Sequence, residues 1–141
     1  PLSVAAFSLS PPRLQSEVSV AGYPYEGVLS AATLTFGKIA DIKGLRGEEQ
    51  INRLALKAQA GDAGGPVFDA SGNVIGMMLP TPEGTQQLPD DVSFAVESAA
   101  IAQAISGAGL ALQAAETSGV IAPRDLTIAA QGMTVLVSCW E

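Results

Sequence analysis

The residues best placed to do chemistry lie in one short loop, Gly61-Asp-Ala-Gly-Gly-Pro66. Its three glycines let the backbone turn N–H groups into one concave nest and leave room beside it for a carbonyl group. Such a nest suits acyl transfer, in which a nucleophile attacks and negative charge develops on the carbonyl oxygen. The usual partner is missing. The chain contains no histidine, so it has no imidazole base, no imidazole metal ligand and no complete Ser-His-Asp triad. Cys139 is the single cysteine; no internal disulfide can form, and with no imidazole to activate it the thiol is read as buried beside Trp140. Glu48-Glu49 could offer metal oxygens, but adjacent carboxylates on a loop are read as solvated. No metal site and no organic cofactor is expected.

The elements around the loop read as β-structure. Glu17–Ala21 alternates apolar and polar and ends at the turn Gly22-Tyr-Pro24. Leu29–Lys43 is long and β-branched, and its phase slips beside Gly37, the pattern of a β-bulge. Leu54, Leu56 and Ala58 mark the strand that leads into the loop. Val67-Phe68 and the apolar run Val74–Leu79 flank the turn Asp69–Asn73 as a hairpin. Val92, Phe94 and Val96 give a sixth strand, enough to close a small barrel. The period then changes. Ile101 and Ile105 stand four apart, so Ala99–Ser106 reads as a helix that Ser98 could cap. A second helix is expected over Pro123–Gln131, with Leu126, Ala129, Ala130 and Met133 on its inner face and a strand over Thr134–Cys139 after it.

Composition sets the limits. A chain of 141 residues with 48% hydrophobic and 15% charged residues is globular and of one-domain size. A net charge of −7 argues against nucleic acid and against an anionic membrane surface, and no apolar run is long enough for a membrane span. The expected organisation is a linker over 1–12, a barrel with its closing helix over 13–106, and a linker with a helix-strand extension over 107–141.

Gly61-Asp-Ala-Gly-Gly-Pro66 resembles the Gly-Asp-Ser-Gly-Gly-Pro motif of trypsin-like serine proteases at five of six positions. The flanking strand and hairpin are also in family order. Val18-Ser-Val-Ala-Gly-Tyr-Pro24 is similar to the strand and turn that open the second barrel of bacterial HtrA-like members, and Ser93-Phe-Ala95 to their substrate-pairing strand. The resemblance covers roughly residues 10 to 106. It implies a mainly β fold: the second, antiparallel six-stranded β-barrel of the trypsin-like double-barrel architecture, with a C-terminal helix and a short helix-strand extension. The histidine and aspartate would belong to an N-terminal barrel, on a segment preceding Pro1 or on a separate chain.

The same resemblance assigns roles. The N–H groups of Gly61 and Ala63 would form the oxyanion hole, and Asp62 would hold the loop's shape. Ala63 stands where the family has its serine, and a methyl group cannot attack a carbonyl. Lys57 would sit at the base of the primary specificity pocket and favour an acidic side chain; the plainer reading is a solvated lysine. Ser93, Phe94 and Ala95 would pair with an extended substrate, or else form an ordinary core strand. The function implied is the C-terminal half of a serine endopeptidase, inactive as it stands, with a polypeptide substrate and a periplasmic or secreted location. The alternative is a natural pseudoprotease that binds peptides or proteins. A purely structural domain is a third reading.

Overall fold

A computed structural model describes residues 3–23, 31–44, 46–80, 89–115, 119–137 and 139. Six antiparallel strands close a barrel: β2 (Glu17–Gly22), β3 (Thr33–Asp41), β4 (Ile51–Ala55), β5 (Pro66–Phe68), β6 (Val74–Met78) and β7 (Val92–Glu97). Around the barrel the order is β5-β2-β3-β4-β7-β6, and β5 pairs with β6 to close the ring. The strands read from the sequence are these six. The first two residues of the expected Leu29–Lys43 strand, Leu29 and Ser30, lie outside the described residues.

Strand alternation divides the apolar side chains into two layers. Val18, Val20, Ile39, Leu54, Leu56, Val67, Ile75, Met78 and Ala95 fill the barrel interior. Their neighbours Ala21, Phe68 and Val74 point outward and form a second cluster with Ala32, Leu126 and Ala130. That outer layer is covered by α2 (Pro123–Met133), which packs against β3, and by β1 (Ala6–Phe7). As a result β2 is buried from Val18 to Gly22, on both faces, although its sequence alternates. Ser19 is fully buried, and its hydroxyl finds no hydrogen-bond partner among the described residues.

The bulge lies a little later than the sequence suggests. The β3–β4 register shifts between Ile39 and Asp41, past Gly37. Gly37 has a separate reason to be glycine: a Cβ there would collide with the Ala55 carbonyl oxygen of β4. α1 spans Ser98–Gly107, and the expectation that Ser98 caps it is corrected. Glu97 is the N-cap residue, while the Ser98 hydroxyl donates to the Val74 carbonyl at 3.0 Å. Ser98 is the first residue inside the helix, one position past the cap, and its hydroxyl proton goes to a carbonyl of β6 instead.

Two short pieces lie beyond the barrel. Ala6–Phe7 forms β1, parallel to β6, and β8 (Gln113–Ala114) pairs in parallel with β1. The strand expected over Thr134–Cys139 does not form among the described residues: Thr134 is extended, but Thr134–Val137 joins no ladder. Its β-branched residues favour a strand, but β-propensity acts only through packing against a neighbouring strand. Cys139 is exposed, contrary to the buried thiol expected of it.

Candidate functional site: the glycine loop at the barrel rim

The loop is built between β4 and β5. After Ala55 the chain enters a short 3-10 turn, Ala60–Asp62, in which the Asp62 amide donates to the Gln59 carbonyl at 3.0 Å. The Asp62 carboxylate closes the same turn, its Oδ2 accepting the Gln59 amide at 2.9 Å. Further along, the Gly65 amide donates to the Asp62 carbonyl at 3.0 Å. Two bonds tie the loop to β6: Gly64 N–H to the Met78 carbonyl at 2.8 Å and Met78 N–H to the Gly65 carbonyl at 2.9 Å. A third, from Tyr23 N–H to the Gly61 carbonyl at 3.1 Å, ties it to the end of β2. The loop is therefore fastened on two sides.

Two of its glycines are required by geometry. Gly64 has φ +82°, the left-handed region that other residues enter only at a cost. At Gly65 a Cβ would collide with the Ala21 carbonyl oxygen and stand 3.0 Å from the Asp62 carbonyl oxygen. Gly22 meets the loop from the other side: a Cβ there would collide with Asp62 Oδ1 and lie 2.8 Å from the Gly61 carbonyl oxygen.

Asp62 is 1% exposed. Burial pushes its carboxyl pKa up, and the hydrogen bond from the Gln59 amide pulls the other way without cancelling that effect. Its second oxygen, Oδ1, has no hydrogen-bond partner among the described residues. The side chain holds the turn while remaining half satisfied. Ala63, the next residue, is exposed, and its methyl group stands where the loop meets solvent.

In front of Ala63 opens a cavity of about 460 Å³. Gly61, Ala63, Gly64 and Gly65 form one wall, and Ala21, Gly22 and Tyr23 line it from the end of β2. Phe7, Met77, Ile101 and Met133–Val137 supply an apolar remainder drawn from β1, β6, α1 and the C-terminal segment.

The residues singled out in the sequence are only partly brought together. Gly61, Asp62 and Ala63 form one unit, with Asp62 beneath the two residues that border the cavity. Lys57 is exposed and does not line the cavity. Ser93, Phe94 and Ala95 are buried and away from it. Both backbone edges of β7 are engaged there: β4 pairs with it over Val92–Val96, β6 over Ala95–Glu97, and Leu79 N–H bonds to the Phe94 carbonyl. The Ser93 hydroxyl donates inward to the Leu56 carbonyl at 3.0 Å. Strand addition needs an open edge, and this stretch is an interior strand. Glu48 is taken up locally, its Oε1 accepting the Arg46 amide, and no cluster of metal-ligating side chains occurs among the described residues. No helix among the described residues is long and apolar enough to cross a membrane.

Gly22, Tyr23 and the segment Met133–Val137 are site residues that the sequence did not mark as such. Gly22 stood in the quoted opening turn, but its close approach to Asp62 joins positions forty apart and has no local signature.

Comparisons with known proteins agree with this geometry. The family described as trypsin-like peptidase domain matches residues 1–77, a span that includes the whole glycine loop. An uncharacterized protein of Sinorhizobium fredii, y4bJ, is 28% identical over 134 residues, 90% of this chain and 21% of that protein. Among solved structures, the HtrA-type protease AlgW, in a serine-to-alanine form with a decapeptide, superposes with a TM-score of 0.58 at 24% identity. That match covers 77% of this chain and 34% of the other. The chain thus spans about a fifth and a third of these two relatives. A closed six-stranded barrel, a Gly-Asp-Ala-Gly-Gly-Pro loop fastened at its rim, and a family match over more than half of its length place this chain in the trypsin-like serine protease family, as the family's C-terminal barrel.

Proposed function

We propose that this chain is the substrate-holding half of a two-barrel serine endopeptidase, left without hydrolytic activity by alanine at the nucleophile position. The observation that carries the reading is the loop itself. Its fastening by Tyr23, Met78 and Gln59 is complete, yet the exposed side chain it presents to the cavity is the methyl group of Ala63. Acyl transfer divides between a nucleophile with its base and a set of backbone donors. In this reading the Gly61 and Ala63 amides supply the donors, Asp62 holds the turn, and a histidine and an aspartate come from an N-terminal barrel on a preceding segment or another chain. The substrate is a polypeptide. A periplasmic or secreted location belongs to the same reading, supported by the likeness to an HtrA-type protease.

The test restores the hydroxyl. Ala63→Ser in the protein that includes the N-terminal barrel should produce hydrolysis of a casein substrate where the alanine form gives none. An unchanged, null rate in the serine form would refute the endopeptidase reading.

The second reading, a pseudoprotease that only binds, is favoured by the same fastening. A loop that retains its buried Asp62 and its closely packed Gly65 keeps a binding geometry without the nucleophile. Peptide binding by the alanine form, with no hydrolysis by the serine form, would support it.

A further inference from the structure

The segment after α2 divides sharply into a held part and a loose part. Up to Gly132 the chain is fixed to the barrel. Leu126 and Ala130 are buried, Gln131 Nε2 donates to the Ala32 carbonyl at 3.2 Å, and the Ser3 amide donates to the Gly132 carbonyl at 2.8 Å. At Thr134 the backbone leaves the helix in an extended conformation, φ −107° and ψ 132°. From there one hydrogen bond remains among the described residues, a long one of 3.3 Å from the Tyr23 hydroxyl to the Thr134 carbonyl. Val135, Leu136 and Val137 form no hydrogen bonds to the described residues and are 54%, 49% and 85% exposed. Nevertheless all three line the same cavity as Gly61, Ala63 and Gly64.

Three apolar side chains largely left in solvent, at the rim of an apolar cavity, have an obvious place to go. We infer that Thr134–Val137 is an internal strap, which closes over the cavity in front of Ala63 and competes there with an extended apolar peptide. The inference rests on the reading of that cavity as a peptide-binding site. The strap has the chemistry of its competitor: uncharged, mostly apolar and, at three of its four positions, β-branched. Its hinge is Met133–Thr134, where the last firm attachment ends. Its latch is Tyr23, which also donates its backbone amide to Gly61. The latch thus joins the strap to the loop that it covers.

A strap held by one hydrogen bond and partial apolar contact is closed in most molecules but not in all. A peptide's apparent affinity is lowered by the fraction of molecules that are open, so removing a strap closed about nine-tenths of the time raises affinity roughly tenfold. The experiment compares three forms of the full chain: unaltered, ending after Thr134, and Tyr23→Phe. The probe is a fluorescein-labelled Met-Thr-Val-Leu-Val peptide, the strap's own sequence, followed by fluorescence anisotropy. The truncated form should bind about tenfold more tightly than the unaltered chain, and Tyr23→Phe about threefold more tightly. Tyr23→Phe keeps the ring and carries the test if the truncated chain does not fold. Equal or weaker binding by the altered forms overturns the strap and leaves a peptide site, with Val135–Val137 serving as its wall. Absence of binding to every form overturns the strap together with the peptide-binding reading.

Discussion

Replacing Gly65 by alanine tests the loop's fastening directly. Gly65 does not have positive φ, so its backbone is one that alanine adopts freely. At such a position Gly→Ala ordinarily stabilises a protein by about 0.4–1 kcal/mol, because the unfolded chain loses freedom. The surroundings reverse the sign. The new methyl group would meet the Ala21 carbonyl oxygen well inside contact distance and stand 3.2 Å from the Ala21 carbonyl carbon. Both atoms belong to β2, which is itself paired with β3 and β5 and cannot swing aside. Overpacking of this kind costs about 1–3 kcal/mol, and displacing the loop would also strain the Gly65–Met78 hydrogen bond, worth about 1 kcal/mol. We expect a net loss of roughly 2 kcal/mol, a fall in Tm of about 5–10 °C. Gly107→Ala is the matched control. Gly107 ends α1, and nothing lies within 4 Å of the position its Cβ would take, so the same substitution should stabilise by about 0.5 kcal/mol. Urea unfolding followed by circular dichroism measures both. If Gly65→Ala is as stable as the unaltered chain within 0.5 kcal/mol, the close packing of the loop on β2 is not what holds it.

Asp62 predicts a pH dependence whose sign can be worked out. Its folded pKa is raised, so between the unfolded value of about 4 and that raised value the folded state binds more protons than the unfolded state. Its contribution therefore favours folding at the acid end of this window and is lost as pH rises through the folded pKa. Asp62→Asn should remove that slope and raise Tm at pH 7, as read by thermal scans from pH 3 to 8; an unchanged difference across the range would count against it. Phe68 is fully buried between the barrel and α2, and Phe68→Ala should cost about 3–5 kcal/mol in urea unfolding. A cost below 1 kcal/mol would mean that α2 does not seal the outer layer. Ser98→Ala removes the only side-chain bond to the buried Val74 carbonyl among the described residues and should cost about 1–2 kcal/mol by the same assay. Since this serine is not the helix cap, the helical circular dichroism signal should not change.

The barrel was legible because its strands are marked in residue types, some by a period of two and others by a short apolar run. Leu54 and Leu56, two apart, both face the interior, while the apolar neighbours Val20 and Ala21, Val67 and Phe68, and Val74 and Ile75 are divided between interior and outer layer only by packing. The glycine loop was legible for a related reason. A nest of backbone donors needs residues without side chains, so its chemistry leaves a mark in the composition of six consecutive positions. The second helix was legible through Pro123 at its start and the spacing of Leu126 and Ala130, both of which are buried.

What the sequence left undecided depended on neighbours distant along the chain. The same alternation that makes Ser93–Ala95 a strand is compatible with an open edge or an interior one; only pairing with β4 and β6 made it interior. Thr134–Val137 has the composition of a strand, yet no ladder forms, because hydrogen-bond partners are a property of the assembled sheet. Packing with Phe68, Leu126 and Ala130, and not any residue of β2, places Ala21 in a buried outer layer. The nucleophile position follows the same division. The amino-acid sequence alone established that Ala63 carries a methyl group and no hydroxyl. That this methyl group borders a cavity, above a buried Asp62 and beside the chain's own C-terminal segment, was settled by packing among residues 21–23, 61–65 and 133–137, which only the folded chain brings together.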